Sequence, residues 1–169
     1  MYWYLFLITE TCGNFSVCSG RHMNRKSFRK TQKTLIIEFA KFPQPGYVKT
    51  RLAVKLGNES ACRIYNSIAQ KTHYELLTLQ EQGIAQVIVY GDGADRKSIS
   101  RWLKDSYDVW LQPHGDLGHK LEYAFFRAFK MGFQTVLAVG TDCPGLMAEK
   151  IQEAIEQLFQ ATSGLAVNQ

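Results

Sequence analysis

Residues 34–40 read Thr34-Leu-Ile-Ile-Glu-Phe-Ala40, a β-branched and apolar run that is short enough to form one buried strand. Pro43, Pro45 and Gly46 follow it, and because proline cannot serve a central strand, the strand must end in a loop. Similar apolar runs recur at residues 84–90 and 134–140, with helical patterns between them. Alternating strands and helices predict an α/β fold with a mostly parallel sheet.

The helical patterns divide the rest of the chain. The longest begins with Asn58 as its expected N-cap and ends at Gly83. A short helix is predicted near residues 96–104, and a weaker strand at 109–111. Two more helices are predicted over residues 116–131 and 147–160. Residues 34–169 therefore form a single predicted domain, which is the size at which one core suffices.

The charge of the chain is concentrated at its beginning. Residues 1–33 carry six basic residues against one acidic residue, which accounts for the net charge of +5. The other 14 basic and 14 acidic residues balance. We therefore interpret the basic segment as a solvated tail rather than an arm that binds nucleic acid or anionic lipid, and we expect no nucleic-acid partner.

Residues 1–33 are predicted to be a leader, either disordered or containing a misassigned start. Met23 opens a second plausible start, and we expect residues 1–22 to lie outside the fold, although an anchor that touches a membrane is the alternative. No apolar run approaches the roughly 20 residues of a membrane span, so we expect no stable membrane insertion. The four cysteines are scattered without metal-site spacing, which favours reduced thiols and a cytoplasmic location.

Three loops are expected at the carboxyl edge of the sheet, where open α/β sheets bind ligands. The first, residues 40–52, places Lys41, Lys49 and Arg51 close together around Gly46. Clustered cations suit a di- or triphosphate, because arginine binds phosphate bidentately and lysine acts as a point charge. The segment is not a Walker loop, since Tyr47 follows Gly46. A solvated charged loop is the alternative.

The second loop is Gly140-Thr-Asp-Cys-Pro-Gly145. An aspartate that directly follows a buried strand is costly unless it is paired, caps a helix or binds a cation. Mg²⁺ or Mn²⁺ prefers carboxylates together with phosphate oxygens, which makes Asp142 a candidate metal ligand beside a nucleotide diphosphate. Capping of the next helix is the alternative. Cys143 has no identifiable base beside it, so we interpret it as a packing residue.

The third loop is Gln112-Pro-His-Gly-Asp-Leu-Gly118, in which the glycines allow a ligand to approach the backbone. His114 and His119 flank its centre, and we interpret both as surface residues. Asp92, in Gly91-Asp-Gly93, is interpreted as a turn residue.

The segments AKFPQPGYVKTRLA, GDLG and VLAVGTDCPGL, in this order, resemble the radical-SAM/selenodomain-associated transferase 1 family, also called arsenosugar-biosynthesis glycosyltransferases. The resemblance runs from about residue 34 to residue 159. It implies a three-layer, Rossmann-like GT-A fold of the nucleotide-diphospho-sugar transferase type. It also implies distant similarity to phospholactate and molybdopterin guanylyltransferases.

The resemblance further implies a site. Its nucleotide-binding residues would be Lys41, Gly46, Lys49, Thr50, Arg51, Gly115, Asp116 and Gly118, with Asp142 as the ligand of Mg²⁺ or Mn²⁺. No catalytic residue is assigned. Where family members carry a Glu-Arg-Met-like run, this sequence reads His119-Lys-Leu121, which leaves the role of that arginine open.

Family members also continue past the last helix into a strand and loop reading like Asp-Gly-Gly-Tyr-Tyr-Leu-Ile-Gly, whereas this sequence ends at residues 161–169. We therefore expect a truncated domain that lacks the acceptor side of its site and exposes a strand edge. The predicted function is transfer of a sugar from a nucleotide-diphospho-sugar to a small acceptor. The alternatives are a nucleotidyltransferase that uses an NTP, and a non-catalytic remnant that only binds nucleotide.

Overall fold

The computed structural model describes residues 6–9, 34–103 and 108–165, without the side chains of residues 6–9 and 161–165. Five strands and five helices follow one another along these residues. The strands are β1 (Phe6–Thr9), β2 (Thr34–Lys41), β3 (Gln86–Asp92), β4 (Val109–Leu111) and β5 (Thr135–Gly140), and the helices are α1 (Thr50–Leu56), α2 (Asn58–Glu81), α3 (Arg96–Trp102), α4 (Leu117–Lys130) and α5 (Ala148–Leu165).

The strands form one sheet in the order β1-β5-β2-β3-β4. The four strands from β2 to β5 pair in parallel, while β1 pairs antiparallel with β5. The chain therefore builds outward from β2 through β3 to β4, and then returns to place β5 on the opposite side of β2. The predicted α/β fold with a mostly parallel sheet is confirmed.

Helices cover both faces of the sheet, because successive side chains of a strand point to opposite faces. Leu35 and Ile37 of β2 pack with Ala124 and Phe125 of α4 on one face. On the other face, Ile36 packs with α2 and α5, and α3 covers Ala40, Val89 and Val109. Both faces are thus apolar, which explains why the central strands read as unbroken apolar runs.

Three local expectations are corrected. Residues 50–52, which we expected to end the first loop, begin α1 instead, and Gly57 rather than Asn58 occupies the N-cap of α2. Residues 6–9, expected to lie outside the fold, pair with residues 135–138 of β5. We expected an exposed strand edge without assigning it to a strand, and the structure shows that β1 occupies the edge of β5 over these four residues. The other residues of the predicted leader lie outside the described part of the chain.

No helix in the described residues combines the length and the apolar character that a membrane crossing requires. Cys62 and Cys143 are both free thiols, and Cys12 and Cys18 lie outside the described residues.

Candidate functional site

A cavity of about 650 Å³ opens at the carboxyl ends of β2 and β5. These are the strands between which the chain reverses its direction across the sheet, and such a switch point is where open α/β sheets form a ligand crevice. Residues from six segments line the cavity: 39–41, 47–49, Tyr65, Asp92, Gln112 with Leu117 and Leu121, and 138–144.

An ion pair joins the first and second predicted loops across this cavity. Lys49 Nζ lies 2.9 Å from Asp142 Oδ2, and it also contacts the Asp142 backbone oxygen at 3.5 Å. The lysine side chain is 28% exposed and the aspartate side chain 55% exposed, so both remain accessible to a ligand. Lys49 has a φ of 48°, a left-handed value that no other non-glycine residue of the described chain adopts. The backbone therefore departs from its usual conformation at the residue that carries this contact.

A second ion pair lies on the β3 side of the cavity. Asp92, the last residue of β3, lines the cavity, and its Oδ2 accepts a hydrogen bond from Lys120 Nζ at 3.1 Å. The charged side chains that line the cavity are therefore two lysines, Lys41 and Lys49, and two aspartates, Asp92 and Asp142. We had interpreted Asp92 as a turn residue. Its position at the carboxyl end of a buried parallel strand, like that of Asp142, was the signal for a site residue.

Two buried hydroxyl groups connect the strands beneath the cavity. The Tyr65 hydroxyl contacts the backbone of Lys41, and it lies 3.1 Å from Thr141 Oγ1. Burial raises the pKa of Tyr65 above its ordinary value, which keeps the phenol protonated. In the sequence, Tyr65 recurs at helical spacing with apolar residues such as Ala61 and Ala69, and nothing in that pattern distinguishes its hydroxyl from an ordinary core residue.

The structure brings together Lys41, Lys49 and Asp142 of the predicted site residues. Gly46, Thr50 and Arg51 are exposed and do not line the cavity, and Thr50 and Arg51 open α1. Gly115, Asp116 and Gly118 are also exposed and outside the lining. Asp116 is the N-cap of α4, where its Oδ1 accepts a hydrogen bond from the His119 backbone N–H at 2.8 Å. Nucleotide contacts by these residues stay a prediction.

The alternative role of Asp142 as a helix cap is not observed. The backbone N–H of Ala148, the first residue of α5, donates to Glu75 Oε2 of α2 at 3.0 Å. Asp142 lies six residues before α5 and turns its carboxylate to Lys49 instead. The carboxylate of Asp142 is thus paired with the Lys49 ammonium, which is one of the three outcomes expected for a charge at the end of a buried strand.

Cys143, which we interpret from the sequence as a packing residue rather than a nucleophile, lines the cavity. Burial, reinforced by the negative charge of Asp142, raises the pKa of the Cys143 thiol above its ordinary value. A raised pKa disfavours the thiolate that nucleophilic catalysis needs. The side chain therefore contributes to the wall of the cavity as a neutral thiol.

The fit of a divalent cation depends on Asp142. The described residues contain no group of three or more His, Cys, Asp or Glu side chains that could hold a metal by themselves. Asp142 Oδ2 already binds a positive charge, the Lys49 ammonium, at the edge of the cavity. A cation that keeps water and phosphate oxygens as its other ligands needs only one or two carboxylates, so Asp142 fits such a cation.

A buried Glu38–His73 pair lies outside the cavity lining. Glu38, in the middle of β2, is fully buried, and its Oε2 lies 2.6 Å from His73 Nδ1 of α2. Burial raises the pKa of Glu38 more than the contact with His73 lowers it. Glu38 Oε1 and His73 Nε2 are two of the buried side-chain atoms without a hydrogen-bond partner in the described part of the chain. A glutamate inside an otherwise apolar strand was the available signal for this pair.

The chain matches one known protein family over more than half of its length. The sequence profile described as "Uncharacterized protein conserved in bacteria (DUF2064)" matches residues 76–167, which is more than half of the chain. The chain belongs to this family. The match covers the segment from the second half of α2 to α5, and it includes Asp92 and Asp142 of the cavity. No curated protein matches the chain.

The fold is also similar to a solved structure. The crystal structure of a putative nucleotide-diphospho-sugar transferase from Desulfovibrio desulfuricans G20 superposes with a TM-score of 0.68 at 29% sequence identity. The match covers 75% of this chain and 55% of the other chain, so this chain spans about half the length of that relative. The predicted nucleotide-diphospho-sugar transferase fold is thereby confirmed.

Proposed function

We propose that this DUF2064 domain binds a nucleotide-diphospho-sugar together with a divalent cation and transfers the sugar to a small acceptor. The observation that carries the proposal is the cavity at the switch point, which Lys41, Lys49 and Asp142 line. The similarity to a putative nucleotide-diphospho-sugar transferase supports this choice of ligand. Membership of the narrower radical-SAM-associated group is part of the same proposal.

The charges of the cavity suit a diphosphate. Lys41 and Lys49 supply two ammonium groups, which bind phosphate oxygens as point charges. Asp142 supplies the carboxylate for Mg²⁺ or Mn²⁺, which would neutralise the diphosphate leaving group as the glycosidic bond breaks. The apolar side chains of Leu117, Leu121 and Val48 contribute to the rest of the lining.

The Lys49–Asp142 contact links these roles. While Asp142 holds no metal, its carboxylate accepts a hydrogen bond from Lys49 Nζ. If Asp142 held a divalent cation, Lys49 would lose its partner and its ammonium would become available to a phosphate oxygen. Lys49 would thus pair with Asp142 when no metal is bound and would bind a phosphate oxygen when one is.

Turnover assays test the proposal and separate it from a nucleotidyltransferase. The protein is incubated in Mn²⁺ with UDP-sugars and GDP-sugars, with water taking the place of the unidentified acceptor, and release of free UDP or GDP is measured. In parallel, GTP, UTP and CTP are supplied, and pyrophosphate is measured. We expect release of nucleoside diphosphate above that of the Asp142→Asn variant.

Pyrophosphate without release of nucleoside diphosphate would instead assign the nucleotidyltransferase alternative. Binding without either product would assign the non-catalytic alternative. Absence of both binding and product would contradict the proposal.

A further inference from the structure

The sheet opens at the point where the cavity begins. Pairing between β2 and β5 ends at Phe39 and Gly140, whereas pairing between β2 and β3 continues to Lys41 and Asp92. Lys41, the last residue of β2, therefore pairs with Asp92 of β3 but has no paired residue in β5. Buried or partly buried backbone groups in such a gap need another partner.

The Tyr65 hydroxyl supplies that partner. It accepts a hydrogen bond from the Lys41 N–H at 3.0 Å, and it lies 2.7 Å from the Lys41 carbonyl oxygen, to which it donates. The same hydroxyl lies 3.1 Å from Thr141 Oγ1, whose single proton can be donated either to the Tyr65 oxygen or to the Phe39 carbonyl oxygen at 3.2 Å. One phenol oxygen thus connects the end of β2 with the residue before Asp142.

The ring of Tyr65 is held firmly. It is 4% exposed and packs with Val48, Cys62 and Ala69. The Trp102 ring stacks against it with a centroid separation of 6.3 Å. Because Val48 directly precedes Lys49, the same side chain contacts the segment that carries the second lysine of the cavity. A rigid ring allows its hydroxyl to fix the groups that it contacts.

We propose that Tyr65 is a positioning residue that sets the spacing between the β2 exit, with Lys41, and the β5 exit, with Asp142. Beyond the last backbone bond between them, from the Thr141 N–H to the Phe39 carbonyl oxygen, the Tyr65 hydroxyl contacts both exits. Its loss would let Lys41 move relative to Asp142, so that the ammonium and the carboxylate no longer face one diphosphate together. This inference rests on the proposed function of the cavity.

The first measurement is amide hydrogen exchange of Lys41, which needs no ligand. Tyr65→Phe keeps the ring and removes the hydroxyl, so the Lys41 amide is expected to exchange at least about tenfold faster. Tyr90→Phe is the matched control, since its hydroxyl also donates to a backbone carbonyl, that of Lys120 at 3.2 Å. The control is expected to leave the Lys41 amide unchanged.

The second measurement is the affinity for UDP and GDP in the presence of Mn²⁺. Tyr65→Phe is expected to bind the preferred diphosphate about fivefold to tenfold more weakly than the wild type. If Tyr65 acts through Lys41, the two substitutions are coupled. The factor by which Lys41→Ala weakens binding must then be smaller in the Tyr65→Phe background than in the wild type, by about threefold or more. A purely structural role would lower the melting temperature and leave the two effects multiplicative.

Thr141 provides a second variant in case Tyr65→Phe does not fold. Thr141→Val removes the hydroxyl that bridges Tyr65 and Phe39, and it is expected to weaken diphosphate binding in the same way. Thr141→Ser keeps the hydroxyl and is expected to restore most of the lost affinity.

The outcomes separate this inference from the function on which it rests. A wild type that binds neither UDP nor GDP overturns the proposed function, and the inference with it. A wild type that binds, with equal affinity in Tyr65→Phe and Thr141→Val, leaves the function standing and overturns the role of Tyr65. Unchanged exchange of the Lys41 amide, or multiplicative effects of Tyr65→Phe and Lys41→Ala, would also overturn it. Faster exchange together with non-multiplicative effects supports it.

Discussion

Lys49 and Arg51 occupy different environments although only one residue separates them. Lys49 lines the cavity and binds Asp142, whereas Arg51 lies on the exposed surface of α1. The start of α1 at Thr50 therefore separates two basic side chains that lie close together in the sequence. The sequence predicted phosphate contacts by both side chains, and of the two only Lys49 lines the cavity.

Replacement of these two residues by alanine tests that difference. Lys49→Ala is expected to weaken UDP or GDP binding in Mn²⁺ by about tenfold, because a charge-assisted contact is lost. The same variant is expected to bind Mn²⁺ alone more tightly, since its competitor for Asp142 is gone. Arg51→Ala is the control and is expected to change either affinity by less than about twofold. Calorimetry measures both, and equal effects of the two variants would contradict the assignment.

The buried Glu38–His73 pair leads to a prediction about pH. The pKa of Glu38 in the folded protein is raised above its ordinary value of 4.5, chiefly by burial. Below that value the carboxyl is protonated in both states and its titration has no effect on stability. As the pH rises above 4.5, the unfolded chain releases the proton more readily, so the contribution of Glu38 to the free energy of unfolding falls until the folded pKa is passed.

Glu38→Gln removes this titration and keeps a hydrogen-bonding side chain. Relative to the wild type, its free energy of unfolding is expected to rise between pH 4.5 and neutral pH. Urea denaturation across this range measures the difference. Glu153→Gln, an exposed position on α5, serves as the control. A difference that does not vary with pH would show that Glu38 titrates alike in both states.

Among the elements, the central strands and the longer helices could be predicted because their apolar patterns reflect burial. β2, β5 and α4 lie within one or two residues of their predicted bounds. α1 could not be predicted from its pattern. It has no buried residue and exposes Val54 and Leu56, so its sequence carries no amphipathic signal. Its limits depend instead on backbone conformation, with a left-handed Lys49 before it and Gly57, at a φ of 79°, after it.

The loop that carries Asp142 leads into α5, and a side chain of α2 caps the first turn of that helix. Glu75 of α2 accepts the Ala148 N–H at the beginning of α5, where a negative charge also interacts favourably with the helix dipole. Glu75→Ala is expected to lower the free energy of unfolding by about 1 kcal/mol. Glu75→Gln keeps an acceptor and should lose less. If chemical denaturation finds the two variants alike and close to the wild type, Glu75 does not stabilise α5.

At the scale of the whole molecule, the topology brings the site together. Lys49 and Asp142 are 93 residues apart in sequence, and they meet because β2 and β5 end at the same edge of the sheet. Sequence reasoning could predict this meeting from the parallel arrangement alone. It could not predict the Tyr65 contact or the Asp92–Lys120 pair, because these depend on how far α2 and α4 overhang the strand ends.

The central claim is that Asp142 binds a divalent cation together with a nucleoside diphosphate in the cavity between β2 and β5. The most direct measurement is calorimetric titration of UDP and GDP, with and without Mn²⁺, into the wild type and Asp142→Asn. Asparagine keeps the shape of the side chain and removes its charge. Because the ion pair with Lys49 is partly exposed, the free energy of unfolding without metal should change by less than about 1 kcal/mol.

The account predicts that the wild type binds one of the diphosphates more tightly in Mn²⁺ than without it, and that Asp142→Asn loses most of this dependence on the metal. Equal affinity of the two proteins for the diphosphate and for Mn²⁺ would contradict the claim.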